Sequence, residues 1–168
     1  MVELIELLKS LNFTISTCES ITGGMFVEKL VRVPGASKSV KGAVVTYTNE
    51  IKIDVVGVKA QTIEKYGVVS EEVAVEMAQK ANTLMNTDVC ISFTGNAGPT
   101  ALDGKSVGLV YSTVNIRGVS FNYCLQLAGD REEIREQAVT VMKDKCVELL
   151  KENNKKFRNI VGEAKENG

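Results

Sequence analysis

The chain opens on an amphipathic repeat. Leu4, Ile5, Leu7, Leu8 and Leu11 of MVELIELLKSL recur at the three- and four-residue spacing that puts apolar side chains on one helical face. Phe13 to Ser16 then reads as a short strand, and TCESITGG (17–24) follows it directly. GGMFVEKLVRV carries helical spacing from the glycine pair or just before it, until PGAS (34–37) breaks it. GAVVTYT (42–48) is rich in β-branched residues and predicts a second strand. It ends in NEIK, beyond which short helical patterns cover 50–56 and 60–66. Ser70, followed by Glu71 and Glu72, has the form of an N-cap with acids in the first turn, opening a helix through about Leu84. DVCISF (88–93) predicts a buried strand that runs into TGNAGP, which continues neither a strand nor a helix. SVGLVYSTV and VSFNYCLQL flank NIRG in the pattern of an antiparallel hairpin. A last helix is predicted from about Asp130 to Lys151, with Ile134, Ala138, Val141, Cys146 and Leu149 near one face.

Strands interleaved with helices, plus one hairpin, predict an α/β fold whose mixed β-sheet is covered on both faces. At 168 residues, 44% hydrophobic and 24% charged, the chain suits one core, so we read a single domain over 1–155 and a charged tail over 156–168. Cys18, Cys90, Cys124 and Cys146 lie far apart without paired spacing and read as reduced, mostly core thiols. The first residues lack the basic start and continuous apolar run of a secretory signal, and no segment is long and apolar enough for a bilayer. The expectation is a cytoplasmic protein without a membrane partner. A net charge of -1 gives no electrostatic footprint for nucleic acid. The absence of histidine removes the usual general base at neutral pH, excludes a Ser-His-Asp triad and leaves no common zinc constellation. No metal or cofactor is expected.

Three loops at strand ends carry unusual chemistry, and in open α/β sheets ligands bind beyond the carboxyl ends of strands. The first holds Glu19, Ser20, Thr22, Gly23 and Gly24 where a strand gives way to a helix, whose free N–H groups favour negative charge. The second holds Tyr47, Thr48, Asn49, Glu50 and Lys52, and the third runs from Thr94 and Gly95 to Pro99. Each has a plainer reading: helix capping for the first, a solvated helix lysine for Lys52, an ordinary turn for Thr94-Gly95.

Read together, ESITGG, VVTYTNEIK, GVVSEEVAVEMA, FTGNAGP, KSVG and AGDR occur in an order and spacing that resemble the CinA C-terminal domain family. Its characterised members are nicotinamide-nucleotide amidohydrolases. The resemblance covers about residues 12 to 150 and implies a three-layer α/β/α domain, in its stand-alone form. It further implies hydrolysis of the carboxamide of nicotinamide mononucleotide to nicotinate mononucleotide and ammonia. On this reading Ser20 attacks the carboxamide carbon and Lys52 takes its proton, which requires the lysine pKa to fall from about 10.4 towards roughly 7 to 8. Tyr47 and Thr94 are expected in the same site, relaying the proton or orienting Lys52, and the N–H groups around Thr22, Gly23 and Gly24 to hold the oxyanion. Arg131 of AGDR is the first candidate for the substrate phosphate, against the plainer reading of a helix-surface charge, and Lys105 is the second. Glu19 and Asn49 are expected to shape the site. Cys18 is read as a structural neighbour of the nucleophile, since nothing near it obviously lowers its pKa.

The chain also departs from the family pattern. Asn96 stands where members usually have an apolar residue, the following loop lacks their run of glycines, and Ser106 replaces the proline of K-P-V-G. A changed fit around ring or ribose is expected there. Two alternatives stay open: a nucleotide-binding or scaffold protein that kept the fold without turnover, and a Ser-Lys amidase for another small amide. A homodimer or other homo-oligomer is expected from the apolar helix faces.

Overall fold

The computed structural model describes residues 1–153 and Lys156, so the predicted charged tail otherwise lies outside the described residues. Five strands form one sheet in the order β2-β1-β3-β4-β5. β1 (Ile15–Glu19) runs parallel to both β2 (Val40–Val45) and β3 (Val89–Gly95), while β4 (Leu109–Ile116) and β5 (Val119–Gln126) continue the sheet antiparallel. Helices α1 (Val2–Leu11), α2 (Met25–Val31) and α6 (Arg131–Glu152) pack together over one face. The other face carries α5 (Glu71–Met85), against which α4 (Ala60–Tyr66) and the turns after β2 pack. This is the expected three-layer α/β/α arrangement of one domain.

Burial follows from this placement. β1 is central, paired on both edges and covered on both faces, so all five of its residues are buried, polar ones included. A large core of Leu4, Leu8, Ile15, Phe26, Ile91 and Met142, among others, fills the space under α1, α2 and α6. A smaller one, with Cys18, Val73, Met77 and Cys90, lies under α5. The chain leaves β1 for β2 on one side and returns across the sheet to β3 on the other. The carboxyl ends of β1 and β3 therefore flank the point where the strand order reverses, the preferred ligand crevice of such folds.

Several elements differ from the sequence reading. β1 extends through Glu19 rather than stopping at Ser16, because parallel pairing on both sides carries the polar TCE along. α2 begins after the glycine pair, since Gly23 and Gly24 have φ of +59° and +98°, outside the right-handed helix. The helical pattern over 50–56 resolves into one α-turn, α3 (Asn49–Ile51), and a wider π-turn over Lys52–Val56. β4 starts at Leu109, three residues beyond the predicted Ser106. The hairpin turn falls at Arg117 and Gly118, both with positive φ, as the primed two-residue turns require.

Candidate active site

Ser20 is the first residue past β1, and its N–H donates to the Phe93 carbonyl (3.0 Å), tying it to the end of β3. The next strand out delivers the partner. Thr46 follows β2 and is fixed to β1 by its N–H on the Glu19 carbonyl (2.8 Å). Thr48 then caps the turn that carries Lys52, its Oγ1 accepting from the Ile51 N–H (3.3 Å). The π-turn opens at Lys52, whose carbonyl accepts from both Gly57 (3.1 Å) and Val58 (2.9 Å).

Lys52 is 1% exposed, with its Nζ 3.0 Å from Ser20 Oγ and donating to the Thr46 carbonyl at 2.6 Å. It forms no ion pair among the described residues. Burial without a carboxylate disfavours the ammonium and brings its pKa down to about 8. The result is an amine that is partly neutral near physiological pH, placed against a hydroxyl. Cys18 behaves differently: burial pushes its thiol up to about 12, so the thiolate is suppressed at neutral pH.

The turn after Ser20 is held by a carboxylate. Glu19 is fully buried and accepts from the N–H groups of Gly24 (3.0 Å), Phe26 (3.1 Å) and Val27 (2.9 Å) and from Thr17 Oγ1 (2.8 Å). The anion expected at the start of α2 is thus the protein's own. This corrects the expectation for the glycines: the Gly24 N–H is spent on Glu19, and the Gly23 N–H donates to the Ser20 carbonyl (3.2 Å). Thr22 is buried, and its Oγ1 has no hydrogen-bond partner among the described residues.

A cavity of about 150 Å³ opens beside Ser20, lined by Ile21, Tyr47, Gly95, Asn96 and Arg131 among others. Tyr47 and Arg131 meet at its rim, where Arg131 Nη2 donates to Tyr47 Oη (2.9 Å) and Nη1 to the Gly98 carbonyl (2.7 Å). Gly95 admits no side chain, because a Cβ there would stand 2.7 Å from the Leu109 carbonyl oxygen.

Other expected residues stand elsewhere. The Tyr47 hydroxyl pairs with Arg131 rather than Lys52, and the Thr94 hydroxyl donates to the Val68 carbonyl (2.8 Å), so neither bonds to the lysine. Asn49 is exposed on the first turn of α3 and does not line the cavity. Lys105 Nζ is bound to the carbonyls of Tyr66 and Val69, away from the cavity, which corrects its expected phosphate role.

The departure at Asn96 has a structural account. Its side chain accepts from the Leu102 N–H (2.9 Å) and donates to the carbonyls of Leu102 (3.2 Å) and Lys105 (3.3 Å), folding the loop back over the cavity wall. Asp103 then accepts from the Val69 N–H (3.1 Å), joining that loop to the start of α5. Sequence reasoning also missed Arg135. From α6 it donates through Nε to the Ile21 carbonyl and through Nη2 to the Thr22 carbonyl, each at 3.0 Å. No spacing rule links residues so far apart; only the helical offset of one turn from Arg131 hints at a shared face.

The model of the CinA C-terminal domain matches residues 1–151. The chain belongs to that family. Among its relatives are CinA-like proteins of Dictyoglomus thermophilum, 47% identical over 133 residues, and Kosmotoga olearia, 44% identical over 136. These alignments cover 79% and 80% of this chain but 32% and 33% of the relatives, so the chain spans about a third of their length. Among solved structures, a competence-damaged protein (CinA) superfamily protein from Klebsiella pneumoniae superposes with a TM-score of 0.88 at 30% identity, over 90% of this chain and 95% of that one. A competence or damage-inducible protein from Enterobacter asburiae gives 0.86 at 29% identity, over 88% and 94%. The CinA C-terminal domain thus accounts for nearly all of the described fold.

Proposed function

We propose that this CinA C-terminal domain hydrolyses a small carboxamide through an acyl-enzyme on Ser20, with nicotinamide mononucleotide as the substrate. The observation that carries this reading is the 3.0 Å approach of the buried Lys52 amine, its pKa brought to about 8, to Ser20 Oγ in a chain without histidine. The neutral amine accepts the Ser20 proton as Oγ bonds to the carboxamide carbon. The ammonium so formed gives that proton to the departing nitrogen, and ammonia leaves. Water, deprotonated by the same amine, then cleaves the ester to release the carboxylate product and restore Ser20. Arg131 at the cavity rim supports recognition of a phosphorylated substrate, its fork partly engaged by Tyr47 and Gly98. Resemblance to the family supplies the choice of nicotinamide mononucleotide.

Incubation of the purified protein with nicotinamide mononucleotide in the presence of a chelator tests the reading. Ammonia and nicotinate mononucleotide are expected in equal amounts, and both disappear in Ser20→Ala and Lys52→Ala. Full activity in either variant overturns the dyad. Binding without turnover by the unaltered protein overturns the enzymatic reading.

A further inference from the structure

The backbone groups of the turn after Ser20 are held at both ends, and two of its N–H groups are left over. The turn begins with Ser20 N–H on the Phe93 carbonyl and ends with Gly24, Phe26 and Val27 N–H on the Glu19 carboxylate. Between these anchors, the Ser20 carbonyl accepts from Gly23 N–H, the Ile21 carbonyl accepts from the Arg135 guanidinium, and the Thr22 carbonyl accepts from both Arg135 and the Met25 N–H (3.0 Å). The N–H groups of Ile21 and Thr22 have no acceptor among the described residues. Buried N–H groups without acceptors are rare in folded proteins.

In a trans peptide the N–H points opposite to its carbonyl, so fixing one fixes the other. Ile21 N–H belongs to the peptide whose carbonyl Gly23 holds, and Thr22 N–H to the peptide whose carbonyl Arg135 Nε holds. A cation on a carbonyl also polarises the N–H of the same amide and strengthens it as a donor. Arg135 is half-buried and forms no ion pair among the described residues, so no carboxylate draws its guanidinium away from the two carbonyls.

We infer that Arg135 is a positioning residue which, from α6, holds the 21–22 peptide so that the N–H groups of Ile21 and Thr22 form the oxyanion-binding pair for the group attacked by Ser20. This rests on Ser20 being the nucleophile proposed above. It replaces the Gly23 and Gly24 amides, which are already engaged, and uses the residue after the nucleophile, the position that supplies an oxyanion donor at other strand-to-helix nucleophile turns. Arg135 does not line the cavity beside Ser20 and acts through the backbone it binds.

The test compares the unaltered full chain with Arg135→Ala, Arg135→Lys and Ser20→Ala, first with a fluorophosphonate probe. In that reaction Ser20 Oγ bonds to phosphorus, the P–F bond breaks, fluoride leaves and the Lys52 amine takes the proton. Steady-state turnover of nicotinamide mononucleotide is measured beside it. In Arg135→Ala, labelling rate and kcat are expected to fall about 10- to 100-fold, below the roughly 10²- to 10³-fold cost of removing a donor outright. KM should stay within about twofold, with the pH midpoint unmoved. Arg135→Lys, which keeps the stem and one cationic donor, should recover part of the loss, and it carries the comparison if Arg135→Ala fails to fold. Unchanged labelling in both variants, or a loss confined to KM, overturns the inference; the latter makes Arg135 a phosphate ligand. A protein labelled at Ser20 that does not turn over the nucleotide refutes the substrate alone, and labelling rates then decide the role of Arg135. A protein neither labelled nor active refutes both.

Discussion

Burying an amine without a carboxylate costs stability, and Lys52 shows what is obtained in return. Its pKa of about 8 leaves a useful fraction neutral at neutral pH, whereas an exposed lysine would be almost wholly charged. Two consequences belong to this residue. The base works only when neutral, so kcat/KM is expected to rise about tenfold per pH unit below the folded pKa and level off above about 8. A profile flat from pH 6 to 9 contradicts the role. Stability has its own sign. The folded pKa lies below the unfolded value of 10.5, so between about 8 and 10.5 the unfolded chain binds more protons and stability rises with pH. Three buried cysteines, each pushed up to about 12, oppose this above about 9. The contribution of Lys52 is therefore read as the difference in unfolding free energy between the unaltered protein and Lys52→Met. That difference should move in favour of the unaltered protein across the window; a constant difference contradicts it.

At the scale of elements, the site depends on how β1 hands over to α2. Glu19 ends the strand and caps the helix with one buried carboxylate, so the glycine turn between them is fixed at both ends. Glu19→Gln replaces one acceptor oxygen with an amide donor facing N–H groups. It is expected to cost about 1.5–3 kcal/mol, the range for hydrogen bonds to a charged group. Chemical denaturation checks this, and a loss under about 0.5 kcal/mol would show that solvent or another group replaces the carboxylate. Amphipathic spacing made the helices legible in the sequence, and β-branched runs with a turn signal made the hairpin legible. The order of short motifs brought Ser20 and Lys52 forward together. Contacts that depend on tertiary placement were not legible. Glu19 lies in a strand whose length is set by pairing with β2 and β3, and the π-turn at Lys52 looks like any helical pattern in sequence. Asn96 read as a departure from the pattern, yet its amide ties down the loop by three hydrogen bonds. The sequence ranked Arg131 ahead of Lys105 on the shape of its guanidinium, and the fold is what separates the lysine bound to Tyr66 and Val69 from the arginine at the cavity rim.

On the scale of the whole molecule, the sheet order gathers these parts. β1 supplies Ser20, the connection after β2 supplies Lys52 and Tyr47, the end of β3 supplies Gly95 and Asn96, and α6 reaches over with Arg131 and Arg135. All stand at the carboxyl edge of the parallel strands, where the strand order reverses. The central claim is that Ser20 and Lys52 act as one unit there, and residues acting as a unit show strongly non-additive losses. The most direct measurement is ammonia release from nicotinamide mononucleotide by the unaltered protein, Ser20→Ala, Lys52→Ala and the double variant, with a chelator present. The account predicts that each single substitution removes essentially all turnover and that the double variant is no worse than either. Losses that multiply in the double variant, or full turnover with either residue replaced, would contradict it.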